Sequence, residues 1–271
     1  MLLILFFIFI VGLSIGSFLN CYLWRMHSNK KLSGRSMCPQ CKNTIAWYDN
    51  IPVISFLILM AKCRHCKKPI SWQYPIVELV TGLLFFLAFI FEIQKLTRAY
   101  TADVSAFVNL FLNYQLGLIL VRDFFLIAVL IVIFIYDLKW YLILDRVTLP
   151  ACVIIFALNL LTGSSWSSLV LSGIIGSSFF LIQFIVSNGK WIGGGDIRLG
   201  LLMGLALGWP NTLVALFIAY ISGSIIGVGL LVWGKKKMDS AVPFGVFLTV
   251  GTLVAFFHGT AIVAWYLGLL Y

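Results

Sequence analysis

Residues 124–136 read FFLIAVLIVIFIY, an uninterrupted apolar run that ends at the carboxylate of Asp137. A continuous apolar run is typical of a segment that is buried on all sides. With a few flanking residues it reaches the roughly 20 residues that a helix needs to cross a hydrocarbon core of about 30 Å. The run therefore predicts a membrane-spanning helix with an acidic group at one end.

Seven more apolar runs lie on either side of this one. They are Met1–Trp24, Tyr74–Phe91, Val147–Leu161, Ser167–Val186, Leu199–Trp209, Thr212–Trp233 and Phe244–Tyr271. Of the 271 residues, 62% are hydrophobic and only 10% are charged, whereas soluble domains carry about 25% charged residues. The composition predicts an all-α polytopic membrane protein with about eight transmembrane helices. The first run has no basic residue before it and no small-x-small cleavage site, so we interpret it as a retained anchor.

The distribution of positive charge predicts the orientation. If the N-terminus lies outside and eight spans follow, all but three of the 19 Lys and Arg residues fall in cytoplasmic loops. The three on the outer side are Lys95, Arg98 and Arg122. This asymmetry follows the positive-inside rule, and the reverse orientation violates it. We therefore predict a multi-pass protein of the plasma membrane whose N-terminus is outside.

One polar insertion, from Arg25 to Trp72, interrupts the membrane pattern and is predicted to be cytoplasmic. Its apolar stretch Ile51–Ala61 is too short to span, so we expect an interfacial or re-entrant piece. The mixed polarity of Ala99–Gln115 predicts an outer loop or a surface helix. No internal repeat is expected. The predicted domains are a first transmembrane helix (1–24), a cytoplasmic module (25–73) and a membrane-embedded domain (74–271).

Four of the six cysteines form the pairs Cys38-Pro-Gln-Cys41 and Cys63-Arg-His-Cys66. Two CxxC knuckles close a tetrahedral four-thiolate site, which is the form expected of structural zinc. The alternative is four free or redox-active thiols, and a reducing cytoplasm argues against disulfides. His65 is expected to be a bystander because Cys66 completes the set. A closed site leaves no position for water, so this zinc is predicted to shape the module and not to perform chemistry.

Two of the nine acidic residues are predicted at the cytoplasmic mouths of different spans, Asp137 and Asp196. A carboxylate at membrane depth is expected to face the bundle interior or a water-filled cavity. Two carboxylates within hydrogen-bond distance share a proton, so that one activates water while the other polarises a scissile carbonyl. The glycines before Asp196, residues 193–195, permit positive φ and leave room for a substrate backbone. The pair is therefore a candidate for aspartyl protease chemistry.

Other interpretations of the acidic residues stay open at this point. Asp137 and Asp196 are also compatible with interfacial capping or with the ion site of a transporter or channel. Asp145 competes with Asp137, although it neighbours Arg146 and can pair with it. Solvated charge is expected at the outer acidic positions, Glu92, Asp103 and Asp123. Glu78 lies one turn into the second span, where its carboxylate can reach the interface or the cysteine module.

The small-residue runs Ser172–Ser178 and Ser222–Gly229 are expected to let helices approach closely. Between Lys30 and Lys68 the module has eight Lys or Arg residues and one acid, Asp49. That balance is compatible with nucleic-acid binding. Positive-inside bias and attraction to anionic lipid account for it more simply, so we predict the lipid bilayer, and no nucleic acid, as a partner.

Together these residues resemble a known family, the bacterial type IV prepilin peptidases. The motifs that carry the resemblance, in chain order, are Gly16-Ser-Phe-Leu-Asn20, the first cysteine pair, Trp47-Tyr-Asp-Asn-Ile-Pro-Val-Ile-Ser55, the second cysteine pair, Ile70-Ser-Trp72, Tyr74-Pro-Ile-Val-Glu-Leu79, Asp137-Leu-Lys139, Leu149-Pro150, Gly193-Gly-Gly-Asp-Ile197 and Pro243-Phe-Gly245. They extend over nearly the whole chain, and their order is highly specific.

The resemblance implies an aspartyl endopeptidase of the bacterial inner membrane whose catalytic pair is Asp137 and Asp196. It implies prepilin or pseudopilin substrates with a short basic leader that is cut after a glycine on the cytoplasmic side. Many members also methylate the new N-terminus with S-adenosylmethionine, and by analogy the cysteine module contributes to that step. Glu78 and Asp49 are candidates for binding the leader's positive charges. The pathway served and the oligomeric state are left open.

Overall fold

The computed structural model describes residues 2–99, 114–232 and 242–269. Within these ranges the helices are α1 (Leu2–His27), α2 (Ile54–Ile58), α3 (Gln73–Ala99), α4 (Tyr114–Trp140), α5 (Asp145–Leu161), α6 (Trp166–Val186), α7 (Gly194–Leu207), α8 (Asn211–Val232) and α9 (Phe244–Gly268). A 3-10 turn covers Trp47–Asn50, and β-pairing in the described residues is limited to two isolated bridges. The predicted all-α fold is confirmed.

Six helices in the described ranges are long and apolar enough to cross a membrane: α1, α3 from Gln73 to Lys95, α4, α6, α8 and α9. The other two predicted spans are present as α5 and α7, which have 17 and 14 residues. Both are shorter than the roughly 20 residues of a full span. The sequence of α7 is apolar because the helix lies in the core of the protein, where Leu199, Leu202 and Met203 are fully buried.

The chain forms two compact units, Met1–Phe107 and Val108–Tyr271. In the first, α1 and α3 cross at small residues. A Cβ on Gly12 would lie 2.7 Å from the Cα of Gly82, and one on Gly16 would lie 2.7 Å from the Cα of Glu78. Small residues allow such close approach between helices in a membrane. The cysteine module belongs to the same unit.

The second unit packs α4–α9 around a core that includes Ile155, Phe180 and Leu248. The prediction that Ser172–Ser178 allows close helix packing is confirmed, because Gly176 of α6 lies against the backbone of Gly200 in α7. The corresponding prediction for Ser222–Gly229 is wrong at its end. A Cβ on Gly227 or Gly229 would have nothing within 4 Å, so α8 turns these glycines away from its neighbours.

Some predictions lie outside the described residues. They concern the outer segment over 100–113, with Asp103, and the basic loop that carries Lys235–Lys237 and Asp239.

Candidate active site and metal centre

Asp137 lies in the last turn of α4 and is 5% exposed. Its Oδ2 accepts a hydrogen bond from the backbone N–H of Val246 at 3.1 Å, and the N–H of Gly245 also donates to the carboxylate. Both amides belong to the first turn of α9, where N–H groups have no partner within the helix. The carboxylate is therefore held at a helix N-terminus, which stabilises negative charge.

Asp196 occupies the first turn of α7 and is 7% exposed. Its Oδ2 accepts a hydrogen bond from the N–H of Gly193 at 3.1 Å, and its own N–H donates to the carbonyl of Gly193 at 3.1 Å. The glycine run does not use the positive φ that its residues permit. Gly193 has φ −78°, and the positive-φ glycines of the described chain lie elsewhere, at Gly34, Gly163, Gly189 and Gly208. The run opens a normal helix N-terminus.

The space available for a side chain differs among the three glycines. A Cβ on Gly195 would lie 2.7 Å from Cβ of Ile143, so this position has no room for one. A Cβ on Gly193 would make an ordinary 3.6 Å contact with Asp196, and one on Gly194 would have nothing within 4 Å. Gly195 thus permits close packing, whereas the surface at Gly194 is open.

Ile143 connects the two carboxylate positions. It lies in the loop between α4 and α5, and its side chain contacts Gly195 next to Asp196. Its Cδ1 would also lie 2.9 Å from a Cβ on Gly245, the residue whose amide binds Asp137. The carboxyl groups of Asp137 and Asp196 are close enough for the charge of one to act on the other. The structure thus brings both predicted aspartates into one buried site.

Aromatic side chains surround the start of α9. Phe244 packs against Tyr220 of α8 at 5.0 Å and against Phe180 of α6 at 6.1 Å between ring centroids. The Tyr220 hydroxyl donates to Oε1 of Gln183 at 2.9 Å, and Tyr220 also lies within electrostatic range of Asp196. Sequence reasoning did not single out Tyr220, Gln183 or Ile143, because no motif marks them.

Asp145 has a different environment. It begins α5 with a half-exposed side chain and pairs with Arg198 of α7. The expected pairing with Arg146 is wrong, because the fold brings Arg198, two residues after Asp196, to Asp145 instead. An exposed, ion-paired carboxylate lacks the backbone N–H partners that hold Asp137 and Asp196.

The expectation of solvated charge at Glu92 and Asp123 is also wrong. Both are buried; Glu92 pairs with Lys95, and Asp123 pairs with Arg122 at 2.7 Å. Arg122 also donates to Asn159 at 3.2 Å. Hydropathy placed both residues at the outer ends of spans, where exposure to water was expected. Packing against neighbouring helices buries them instead.

Glu78 lies in the first unit, on α3, and is buried. Its Oε2 accepts a hydrogen bond from the N–H of Val53 at 2.8 Å, and Ser17 of α1 also bonds to the carboxylate. Val53 has φ 61°, an unfavourable value for a β-branched residue. Glu78 thus connects both helices of the unit to the cysteine module and holds Val53 in a strained conformation.

The four predicted metal-ligating cysteines come together. The sulfur atoms of Cys38, Cys41, Cys63 and Cys66 all lie within 4.8 Å of one another, and none forms a disulfide. A tetrahedral zinc site with Zn–S bonds of about 2.3 Å separates its sulfurs by about 3.8 Å. The cluster therefore fits a four-thiolate metal site. Sulfur ligands in this arrangement select zinc or an iron–sulfur centre.

The two knuckles have the same backbone hydrogen bonds. The N–H of Cys38 donates to Asn43 as that of Cys63 donates to Lys68, each at 2.9 Å. The N–H groups of Lys42 and Lys67 return to the carbonyls of the first cysteines, at 2.9 and 3.0 Å. The shared hydrogen bonds follow the CxxCK pattern that both knuckles have in sequence.

A bidentate ion pair supports the module. Arg64, inside the second knuckle, donates from Nε and Nη2 to Asp49 at 2.7 and 2.6 Å. These hydrogen bonds hold the pKa of Asp49 below its ordinary value. Asp49 is the only acid between Lys30 and Lys68, and Arg64 binds it. The segment therefore has no second carboxylate with which its other basic residues can pair.

Comparisons with known proteins cover both units. Residues 10–91 match the Bacterial Peptidase A24 N-terminal domain, and residues 124–228 match the Type IV leader peptidase family. The first match contains the four cysteines and Glu78, and the second contains both aspartates. No solved structure matches the chain.

Several curated relatives carry the name prepilin leader peptidase/N-methyltransferase. The protein from Legionella pneumophila is 30% identical over 86% of this chain and 76% of its own length. The one from Bacillus subtilis (strain 168) is 28% identical over 96% of both chains. The one from Myxococcus xanthus (strain DK1622) is 31% identical over 83% of this chain and 62% of its own length.

Proposed function

Because this chain belongs to the type IV leader peptidase family and is a multi-pass prepilin peptidase of the inner membrane, we propose that Asp137 and Asp196 are its catalytic pair. The observation that carries the proposal is the environment of the two carboxylates. Both are buried in one unit, and each is bound by backbone N–H groups at a helix N-terminus. Fixed amides cannot rotate away, so the carboxylates are held in place before substrate arrives.

We assign different roles to the two carboxyls. Asp137 receives two backbone N–H bonds at the start of α9, which favours its ionised form, whereas Asp196 receives one, from Gly193. Asp137 thus removes a proton from water, whose oxygen bonds to the scissile carbonyl carbon. Asp196 gives its proton to the carbonyl oxygen. In the collapse of the tetrahedral intermediate the C–N bond breaks, Asp137 gives the proton that it took from water to the leaving nitrogen, and Asp196 takes back a hydroxyl proton from the intermediate.

The proposed substrate is a prepilin or pseudopilin whose leader is cut after a glycine. The open surface at Gly194 supports this, because a substrate backbone can approach there without meeting a side chain. The asymmetry of positive charge supports a site facing the cytoplasm and an N-terminus outside. Binding of the basic leader by Glu78 or Asp49 stays a prediction, and the structure gives both carboxylates partners within the chain.

We also propose that the four cysteines bind zinc and that the protein transfers a methyl group from S-adenosylmethionine to the new N-terminal amine. The thiolate cluster supports the metal, and the relatives' names support the transfer. When bound, the zinc holds the two knuckles together. No contact in the described residues assigns a binding site to S-adenosylmethionine. The alternative of a transporter gains no support from the comparisons.

The test is cleavage of a purified prepilin by the solubilised protein, with products read by mass spectrometry. Asp137→Asn and Asp196→Asn are each expected to lower the cleavage rate by at least about 10⁴-fold, because the amide can neither accept nor supply the required proton. A mass gain of one CH₂ on the mature product would show methyl transfer.

Asp145→Asn is the matched control, because it removes a carboxylate that is exposed and paired with Arg198. It is expected to cleave at close to the wild-type rate. The pair is wrongly assigned if either the Asp137 or the Asp196 variant cleaves at the wild-type rate. It is also wrongly assigned if only the Asp145 variant loses cleavage.

A further inference from the structure

The cysteine module has an apolar surface that the metal ligands and the carboxylate pair do not use. Helix α2 buries Ser55 and Phe56. Its opposite face is exposed, with Ile54 at 55%, Leu57 at 66% and Ile58 at 69%, as is Met60, two residues past its end, at 81%. We call these four side chains the α2 patch. Exposed apolar side chains in a cluster mark a contact with another apolar phase.

Two exposed tryptophans adjoin the buried side of α2. Trp72 packs against Phe56 of α2 at 4.9 Å between ring centroids. Trp47 packs against Tyr48, whose carbonyl accepts a hydrogen bond from the hydroxyl of Ser55 in α2 at 2.8 Å. Indole rings are enriched where water meets the bilayer. The surroundings of α2 therefore contain exposed aromatic residues of the kind found at a membrane interface.

The depth of α2 follows from its attachment to α3. Val53, just before α2, donates its N–H to Glu78, which lies about 8 Å along the axis from the start of α3. At this level α3 already presents Ile76, Leu79 and Val80 to its surroundings. Because α3 is a membrane-spanning helix, its exposed apolar side chains face lipid. The start of α2 is therefore at the same depth as the first lipid-facing side chains of α3, at the end of that helix next to the cysteine module.

The charge of the module complements an anionic surface. Its single acid, Asp49, is bound by Arg64. Several basic residues are exposed: Lys30, Lys31, Arg35, Lys42, Lys62, Lys67 and Lys68. Lys30 and Lys31 follow the end of α1, and Lys62 follows the last turn after α2. Exposed basic residues near a bilayer surface attract anionic headgroups.

We propose that the α2 patch inserts into the boundary between headgroups and acyl chains, while the surrounding lysines bind anionic phospholipid. The partner is the lipid surface, and the module is a bilayer-bound structure and not a free cytoplasmic domain. An amphipathic segment with an apolar face, flanking tryptophans and basic residues binds membranes in this way. The inference does not depend on the assignment of the catalytic pair.

The test is photo-crosslinking in vesicles of phosphatidylethanolamine and phosphatidylglycerol. The photoreactive residue p-benzoyl-phenylalanine replaces Leu57 or Ile58 in the full chain. Leu83, exposed on α3, is the position expected to give lipid adducts, and His65, exposed between two cysteines, is the position expected to lack them. Zinc content and elution as a single species identify folded protein.

The α2 positions are expected to give phospholipid adducts within about twofold of the yield at Leu83 and at least about tenfold above that at His65. Adducts to another part of this chain or to an added prepilin, in place of phospholipid, would overturn the proposal. So would a yield at both α2 positions as low as that at His65.

The role of the lysines is tested by combining Lys30→Gln, Lys31→Gln and Lys62→Gln with the photoreactive residue at Ile58. These changes leave the knuckle hydrogen bonds intact. The lipid adduct yield is expected to fall several-fold in vesicles with phosphatidylglycerol and to change little in vesicles of phosphatidylcholine alone. An equal yield from both proteins in the anionic vesicles would contradict headgroup binding by these lysines.

Discussion

At the scale of single residues, the site depends on the absence of a side chain at Gly245. A Cβ there would lie 2.8 Å from Oδ2 of Asp137 and 2.9 Å from Cδ1 of Ile143. Carbon and oxygen atoms do not approach this closely without displacing one another. Glycine therefore lets the carboxylate reach the amides at the start of α9.

Gly245→Ala is expected to lower the cleavage rate by about a hundredfold, because the new methyl group displaces the Asp137 carboxylate. The rate is measured on a purified prepilin, with zinc content as the check on the module. Gly117→Ala, in α4, is the matched control, because a Cβ there meets no described residue within 4 Å. Equal rates for the wild type and the Gly245 variant would contradict this account of Asp137.

The sequence indicated both aspartates as candidate catalytic residues and all four cysteines as candidate metal ligands. A charge beside an apolar run and a pair of CxxC motifs each differ clearly from the surrounding sequence. The partners of Asp137 could not be predicted in the same way. The amide of Val246 is 109 residues away from it, and every residue type except proline has a backbone N–H. The role of Ile143 could not be predicted either, because isoleucine is common throughout a membrane protein and does not mark a functional position.

At the scale of helices, α6 and α7 are in contact through their backbones. Positions 176 and 200 face each other as glycines, and Gly204 lies against the backbone of Ser172 and Gly173. The closeness of α7 to α6 determines where α7 begins, and therefore where Asp196 lies. Glycines in α8 at positions 227 and 229 face open space instead.

Gly200→Ala is expected to destabilise the protein by about 3 kcal/mol, because the added methyl group meets backbone atoms that cannot rotate away. The expected result is an apparent melting temperature lower by roughly 5–10 °C in detergent. Gly227→Ala is the comparison, and it should leave the melting temperature unchanged or raise it slightly, since alanine favours the helix. A larger loss from the Gly227 change than from the Gly200 change would show that α6 and α7 do not pack as described.

Hydropathy predicted the helices well, because every long apolar run contains one. It did not distinguish helices that face lipid from helices that face protein. Leu199–Trp209 was counted as a span, yet α7 is apolar because its side chains fill the core. Periodicity within one segment carries no information about which neighbours surround it, so the burial of Asp123 was also missed.

At the scale of the whole molecule, the predicted metal site and the proposed catalytic pair lie in different compact units. The cysteine cluster belongs to Met1–Phe107, whereas both aspartates and their backbone partners belong to Val108–Tyr271. A four-thiolate site is closed to substrate and water. Peptide cleavage therefore has no direct need of the metal.

Removal of the metal by a strong chelator is expected to leave the rate of prepilin cleavage within about twofold of its starting value, while the module becomes sensitive to protease. Cys38→Ser with Cys63→Ser should reproduce both effects without a chelator. The rate and the proteolytic pattern are measured on the same sample. Loss of cleavage in proportion to metal release would show that the metal takes part in the peptidase reaction.

The amides that hold Asp137 belong to α9, the last helix that the structure describes. During synthesis, Asp137 and Asp196 enter the membrane well before these amides exist. A growing chain thus carries both carboxylates without the fixed geometry that we propose for cleavage. The proposed pair takes up its fixed geometry only when α9 is inserted, so a copy that lacks α9 is expected to be a poor protease.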